Sequence, residues 1–255
     1  MRYRITLSYD GSEFCGWQVQ PNAPSVQAAL EDALARLLGT EVEVTGAGRT
    51  DSGVHAVGYV AHFDTFAAID TEQVRFRLNA ILPRSMSVSG LEEATDDFHA
   101  RFGATRREYT YFLHTGKDPF CGRYSYRCHY ALDVDAMNEA ASAMLGRHDF
   151  SCFEKIGADN KTSICTVFEA GWHDYVPTHV GLMGQPAEGR YLYFRIAADR
   201  FLRNMVRATV GTLLDVGRGR RTPQEFAGLL DCGGTRCDAG ESVPGHALFL
   251  SKVLY

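Results

Sequence analysis

One stretch of the chain combines residue types and spacing suited to chemistry: Gly46-Ala47-Gly48-Arg49-Thr50-Asp51-Ser52-Gly53-Val54-His55-Ala56. Its glycines admit backbone conformations closed to other residues. Arg49 and Asp51, two apart beside a bend, bring a guanidinium and a carboxylate to one rim. No Gly-Lys-Ser/Thr follows at the spacing of a phosphate-binding loop. Asp51 also sits where a dinucleotide-binding fingerprint would place its third glycine. Taken alone, the loop reads equally well as a turn in which an Asp makes a local Asx bond. His55 and His62 follow closely and invite a general-base role, although His62 alternates onto the face opposite Phe63 and reads as well as a packed strand residue.

The elements that must position this loop follow from periodicity. Residues 2–8 alternate as a strand, and Ser25 after Pro24 caps a helix carrying Val26, Leu30, Ala33, Leu34 and Leu37 on one face. Residues 41–45 alternate again before the Gly-rich turn, and from 57 to 63 Val57, Tyr59, Ala61 and Phe63 share one face of a strand. A helix from Thr71 to about Leu82 is stopped by Pro83, and a strand covers 86–92. The order β-α-β-β-α-β is the ferredoxin-like one. It recurs as a strand at 107–114, a helix near 133–145, strands near 162–173 and 190–197, a helix at 201–216, a short helix opening at Thr222-Pro223, and a closing strand at 247–254. The reading is α+β: a lobe at 1–105 carrying the Asp51 loop and a second at 106–255, flanking a central cleft where a site is expected.

Composition is that of a globular chain, 45% hydrophobic and 22% charged over 255 residues. No apolar run approaches the roughly 20 residues of a membrane span, and the opening MRYRITLSYDG lacks an apolar signal segment, so the expected location is the cytoplasm. The seven cysteines show no CxxC pair, which argues against a disulfide framework. Cys232, Cys237 and His246 are conceivable metal ligands but lack a zinc-site pattern, and no metal is expected. The net charge of −5 argues at first against nucleic acid, yet only four of the 26 basic residues are lysines. Arginine grips phosphate bidentately and stacks on bases, and the arginines cluster at 101, 106 and 107, at 200, 203 and 207, and at 218, 220 and 221. Such clusters would line an RNA groove, though composition alone is explained as well by high-GC codon bias.

GAGRTDSGVHA closely resembles the active-site signature of the tRNA pseudouridine synthase A family. YDGSEFCGWQVQ at 9–20 is similar to that family's opening motif, SVQAALEDAL at 25–34 to its first helix, and Asn79 to Pro83 to its Asn-rich turn. DDFHARFGATRREYTYFL at 96–113 resembles its central strand and FLRNMVRATVGTLLDVGRGR at 201–220 its long C-terminal helix. The resemblance implies Asp51 as nucleophile, Tyr109 packed on the target uracil, Arg207 in an ion pair with Asp51, and Arg49 assisting base extrusion. It implies uridines 38, 39 and 40 in the tRNA anticodon arm, a homodimer contacting one tRNA with both subunits, and no cofactor, because the reaction neither oxidises nor hydrolyses. Attack at C6 of uracil and attack at C1′ of ribose would both use Asp51.

The chain departs from the family at Val19, where arginine is common, in a longer Gly- and Pro-rich loop at 175–190, and at Glu241-Ser242-Val243-Pro244 before Gly245. Two other classes remain as alternatives. A non-catalytic RNA-binding module lacks the expected aromatic pattern and leaves Asp51 without a role. A Mg-dependent Asp-nucleophile phosphoryl-transfer enzyme would want more clustered carboxylates than Asp10 supplies.

Overall fold

The computed structural model describes every residue except 158–160, 185 and 187. The chain divides into two compact units, Met1–Arg106 with Phe249–Tyr255, and Arg107–Leu248. Both are α+β.

The first unit runs β1 (Arg2–Tyr9), α1 (Val26–Leu38), β2 (Val44–Gly46), β3 (His55–Asp64), α2 (Thr71–Ile81) and β4 (Met86–Ala94). β1 lies between β4 and β3, antiparallel to both, and β2 pairs with β3. This is the ferredoxin-like order. Tyr3, Ile5 and Leu7 of β1, Tyr59 and Phe63 of β3, Leu30 and Leu34 of α1 and Leu78 of α2 are buried together as the core, each contributing about 1.5–3 kcal/mol of burial where aliphatic. α1 begins where the side chain of Ser25 accepts from the Ala28 amide at 3.3 Å. α2 ends at Leu82, whose extended backbone is what the following Pro83 demands.

The face expected for β3 is correct except at Val57, which is 52% exposed. Gly58 adopts φ +69°, and the pairing with β1 slips there: Leu7 faces Tyr59 while Tyr9 faces Ala56. The extra residue is a bulge, and it turns Val57 off the shared face. The strand therefore presents His55 and Ala56, at its start, in a register separate from that of Tyr59, Ala61 and Phe63.

The second unit runs β5 (Arg106–His114), β6 (Tyr126–Arg127), α3 (Val134–Ser142), β7 (Gly146–Asp149), β8 (Ile164–Asp174), α4 (Thr178–Met183), β9 (Tyr191–Ala198), α5 (Met205–Gly217) and α6 (Pro223–Ala227). Its antiparallel sheet has the order β5-β9-β8-β7, with β6 parallel to β5. The expected elements are present. The additions are the edge strand β7, the two-residue β6, and α4, which lies inside the loop expected at 175–190. α5 starts at Met205 because Asn204 holds a left-handed conformation, φ +67°, and breaks the helical run that periodicity extends back to 201. The closing strand β10 (Leu248–Leu254), expected in the second lobe, clusters from Phe249 onward with the first unit and pairs in parallel with β3 at His55 and Ala56.

Candidate active site

The Asp51 loop joins β2 to β3, and its backbone is clamped on both sides of the carboxylate. Tyr59 accepts from the Gly48 amide at 3.3 Å and donates to the Gly48 carbonyl. Trp17 stacks on Tyr59 with centroids 4.2 Å apart, and the Tyr9 hydroxyl shares a 2.9 Å hydrogen bond with that of Thr50. The segment 14–17 supplies the rest. The Trp17 amide donates to the Thr50 carbonyl at 3.2 Å, and the Gly53 amide to the Phe14 carbonyl at 3.3 Å. Gly16, at φ +96°, allows this approach: a Cβ there would collide with the Thr50 carbonyl oxygen and stand 3.2 Å from the carbonyl carbon of Asp51. The Val54 amide then donates to the Asp51 carbonyl at 3.2 Å, closing a tight turn over Gly53 at φ +74°.

Thr50 is thus buried, Asp51 half-buried and Arg49 exposed, its Nε donating to Gln18 Oε1 at 3.2 Å. A carboxylate held on a rigid turn, partly open to solvent, suits nucleophilic work, because little reorganisation is needed to present it. Arg49 and Asp51 thus both reach the surface of the loop, Arg49 in full and Asp51 in part. The aromatic cage of Tyr9, Trp17 and Tyr59 was not assigned a role from sequence, although the spacing of the YDG and GWQ motifs places it.

The two histidines are buried within the first unit. The ring of His55 is 1% exposed, stacks on Phe249 with centroids 4.5 Å apart, and accepts from the Gly11 amide at 3.0 Å. His62 accepts from the Ala100 amide at 3.1 Å. Burial, aided by the nearby Arg2 and His99 charges, pushes its pKa down to about 4, so it stays a neutral packing residue near pH 7.

In the second unit, Tyr109 lies opposite Ile196 on β9 and meets Phe201 edge-to-face at 5.0 Å, leaving its side chain largely buried. Arg207, in the first turn of α5, donates from Nε to the Val243 carbonyl at 2.7 Å, and the Val243 amide returns a bond to the Arg207 carbonyl at 3.2 Å. Asn204 Nδ2 donates to Ser242 Oγ at 2.7 Å. The unusual residues 241–244 are thus a strap on the start of α5, orienting Arg207 through its Nε. Sequence offered a signal for this only as a departure from the expected pattern.

The arginine clusters divide by use. Arg107 donates to the Asp199 carbonyl at 2.8 Å and Arg221 to the Asp238 carbonyl at 2.9 Å, so each is partly committed to the fold. Arg218 lies 3.6 Å over the Tyr130 ring, and the Arg220 side chain remains 60% exposed. Cys232, Cys237 and His246 do not form a metal-ligating group among the described residues; the group found there is Asp118, Cys121 and His179. Burial pushes the Asp118 carboxyl upward, but hydrogen bonds from Tyr191, the Phe120 amide, His179 and Cys121 outweigh it and hold the pKa well below the usual range.

The family model described as tRNA pseudouridine synthase matches residues 5–103 and 140–255. The chain belongs to the tRNA pseudouridine synthase A family. A protein of that name from Bacteroides thetaiotaomicron is 47% identical over 100% of this chain and 90% of its own. Another from Bacillus subtilis is 42% identical over 100% of this chain and 99% of its own. The chain is accordingly an isomerase, a tRNA pseudouridine synthase: the N1–C1′ bond of a uridine breaks, the base turns, C5 joins C1′, and as C5 loses a proton N1 gains one. The RNA-binding and phosphoryl-transfer alternatives find no support. No helix among the described residues is long and apolar enough to cross a membrane.

Proposed function

We propose that this synthase acts on uridines 38, 39 and 40 of the tRNA anticodon arm, as a cytoplasmic homodimer, with Asp51 as its nucleophile. The observation that carries the assignment is the clamped turn: backbone bonds from Trp17 and Gly53 fix the peptide units flanking a half-buried carboxylate. In this reading Arg207 supplies the guanidinium that forms an ion pair with the Asp51 carboxylate. Arg49, exposed on the same loop, assists extrusion of the base, and Tyr109 packs on the uracil. Flipping a base from its stack costs about a few kcal/mol, and stacking on an aromatic ring returns roughly 1–3 kcal/mol.

The test is Asp51→Asn with unmodified tRNA, mapping pseudouridine at each position. The expected outcome is no product at 38, 39 or 40 with folding and tRNA binding retained. Activity within tenfold of the parent protein would remove Asp51 from the nucleophile role. Product at other positions from the parent protein would overturn the anticodon-arm assignment while leaving the enzyme class intact.

A further inference from the structure

We infer that Asp118, Cys121 and His179 of the second unit form a binding site for one zinc ion, a site separate in its residues from the synthase chemistry. Their donor atoms all lie within 4.8 Å of one another. The side chains are sheltered: Asp118 is 7% exposed and His179 18%, and Cys121 is 9% exposed.

The present hydrogen bonds show how the site would take a cation. His179 Nε2 donates to Asp118 Oδ2 at 2.7 Å, and the Cys121 thiol is hydrogen-bonded to the same carboxylate. Two protons thus sit among three donor atoms where a dication would bridge all three. Zinc binding releases the thiol proton to solvent, and the Nε2 proton passes through solvent to Nδ1, so the imidazole stays neutral while the thiolate and the carboxylate balance the dication without any redox partner. The donor set decides the metal: one thiolate, one imidazole and one carboxylate suit zinc, whereas magnesium and calcium require oxygen throughout. Three protein ligands leave the fourth tetrahedral position for water.

The groups around the ligands act as a supporting shell. The Tyr191 hydroxyl donates to Asp118 Oδ2 at 2.7 Å, and the Phe120 amide to Oδ1 at 2.8 Å. These bonds fix the carboxylate's orientation, as outer partners of metal ligands do.

A second observation concerns α4, which carries His179. This helix has six residues, none buried, and no side-chain cap at its N-terminus. Leu182 and Met183 are 82% and 75% exposed. So short a helix is unstable by itself. A metal bond through His179 would tie α4 to the segment holding Asp118 and Cys121, making the site a structural clip on that short helix.

The experiment uses the full-length protein, stripped with chelator and reloaded with Zn²⁺ or Co²⁺. Elemental analysis should find one zinc per chain after dialysis. The Co²⁺ form should show a thiolate-to-cobalt charge-transfer band that Cys121→Ser abolishes and Cys232→Ser leaves intact. Zn²⁺ should raise the Tm of the parent protein and leave that of His179→Gln unchanged, with zinc affinity in Cys121→Ser and His179→Gln at least tenfold weaker. If either ligand variant does not fold, retention of the band and of one zinc per chain in Cys232→Ser and Cys237→Ser still supports the site. A parent protein that retains no zinc, or a band that disappears with Cys232 or Cys237, overturns it.

Discussion

Tyr109 and Arg207 each carry a structural role as well as the proposed catalytic one, and conservative substitutions separate the two. Tyr109 meets the Phe201 ring edge-to-face at 5.0 Å, and Phe preserves that contact and the ring face. Tyr109→Phe should therefore retain most of kcat, whereas Tyr109→Leu should lose roughly tenfold or more, in line with about 1–3 kcal/mol for base stacking. Equal inactivity of the two variants would make the hydroxyl the working group, as a proton-transfer residue. Arg207 anchors the strap through Nε while its planar fork is the group proposed to face the carboxylate. Arg207→Lys keeps the charge but not a bidentate geometry, so the single-turnover rate should fall at least about tenfold. Normal kcat in this variant would reduce Arg207 to a helix charge. At this scale the sequence nominated Asp51 and Arg49 through a motif, because glycines and charged side chains in fixed order leave a readable pattern, and their roles rest on the proposal above. It could not distinguish His62 as a packed residue, since that depends on the Ala100 amide, 38 positions away in the chain.

The elements explain why the carboxylate turn holds its shape. Strand and helix periodicity recovered β1, α1, α2, β4 and β5 to within about two residues, because enough of their buried residues recur at strand or helix spacing. It failed where a single residue leaves the regular conformation: the bulge at Gly58 turned Val57 outward, and the left-handed Asn204 delayed α5. Such positions are set by partners distant in sequence, and hydrophobic periodicity carries no record of them. Gly16 is the position where this matters most for function. Gly16→Ala must either leave φ +96° or push the Thr50 carbonyl away. The left-handed side of the map alone costs about 1–2 kcal/mol for a residue with a Cβ. The expected outcome is a lower Tm together with a loss of kcat, the latter larger than in a surface variant of equal Tm, because the peptide units beside Asp51 shift. Thermal unfolding and single-turnover kinetics on the same preparation check it. Unchanged kcat at lowered Tm would mean that the 14–17 segment supports the fold without positioning Asp51.

Across the whole molecule, a net charge of −5 must coexist with a polyanionic substrate. The resolution lies in the kind of positive charge. With 22 of 26 basic residues being arginine, phosphate contacts can be few and strong instead of diffuse. The structure refines which ones are available. The Arg220 side chain is 60% exposed, 3.9 Å from Asp215, while Arg221 already donates to the Asp238 carbonyl at 2.9 Å. Replacing both with Ala should weaken tRNA binding and make the slope of log K against log[salt] shallower by up to roughly 0.7–0.9 for each phosphate no longer neutralised. Arg220→Ala alone should account for most of the change in slope, and Arg221→Ala for most of any fall in Tm, because the latter removes a 2.9 Å hydrogen bond within the fold whereas the former removes only a long, largely exposed ion pair to Asp215. The single-turnover rate at saturating tRNA should stay near that of the parent protein, since phosphate contacts position the substrate without touching the reacting base. Filter binding across a salt series, paired with single-turnover kinetics, reads both quantities. An unchanged slope with a collapsed rate would assign this cluster to the active site or the fold, and would place the phosphate contacts on other arginines.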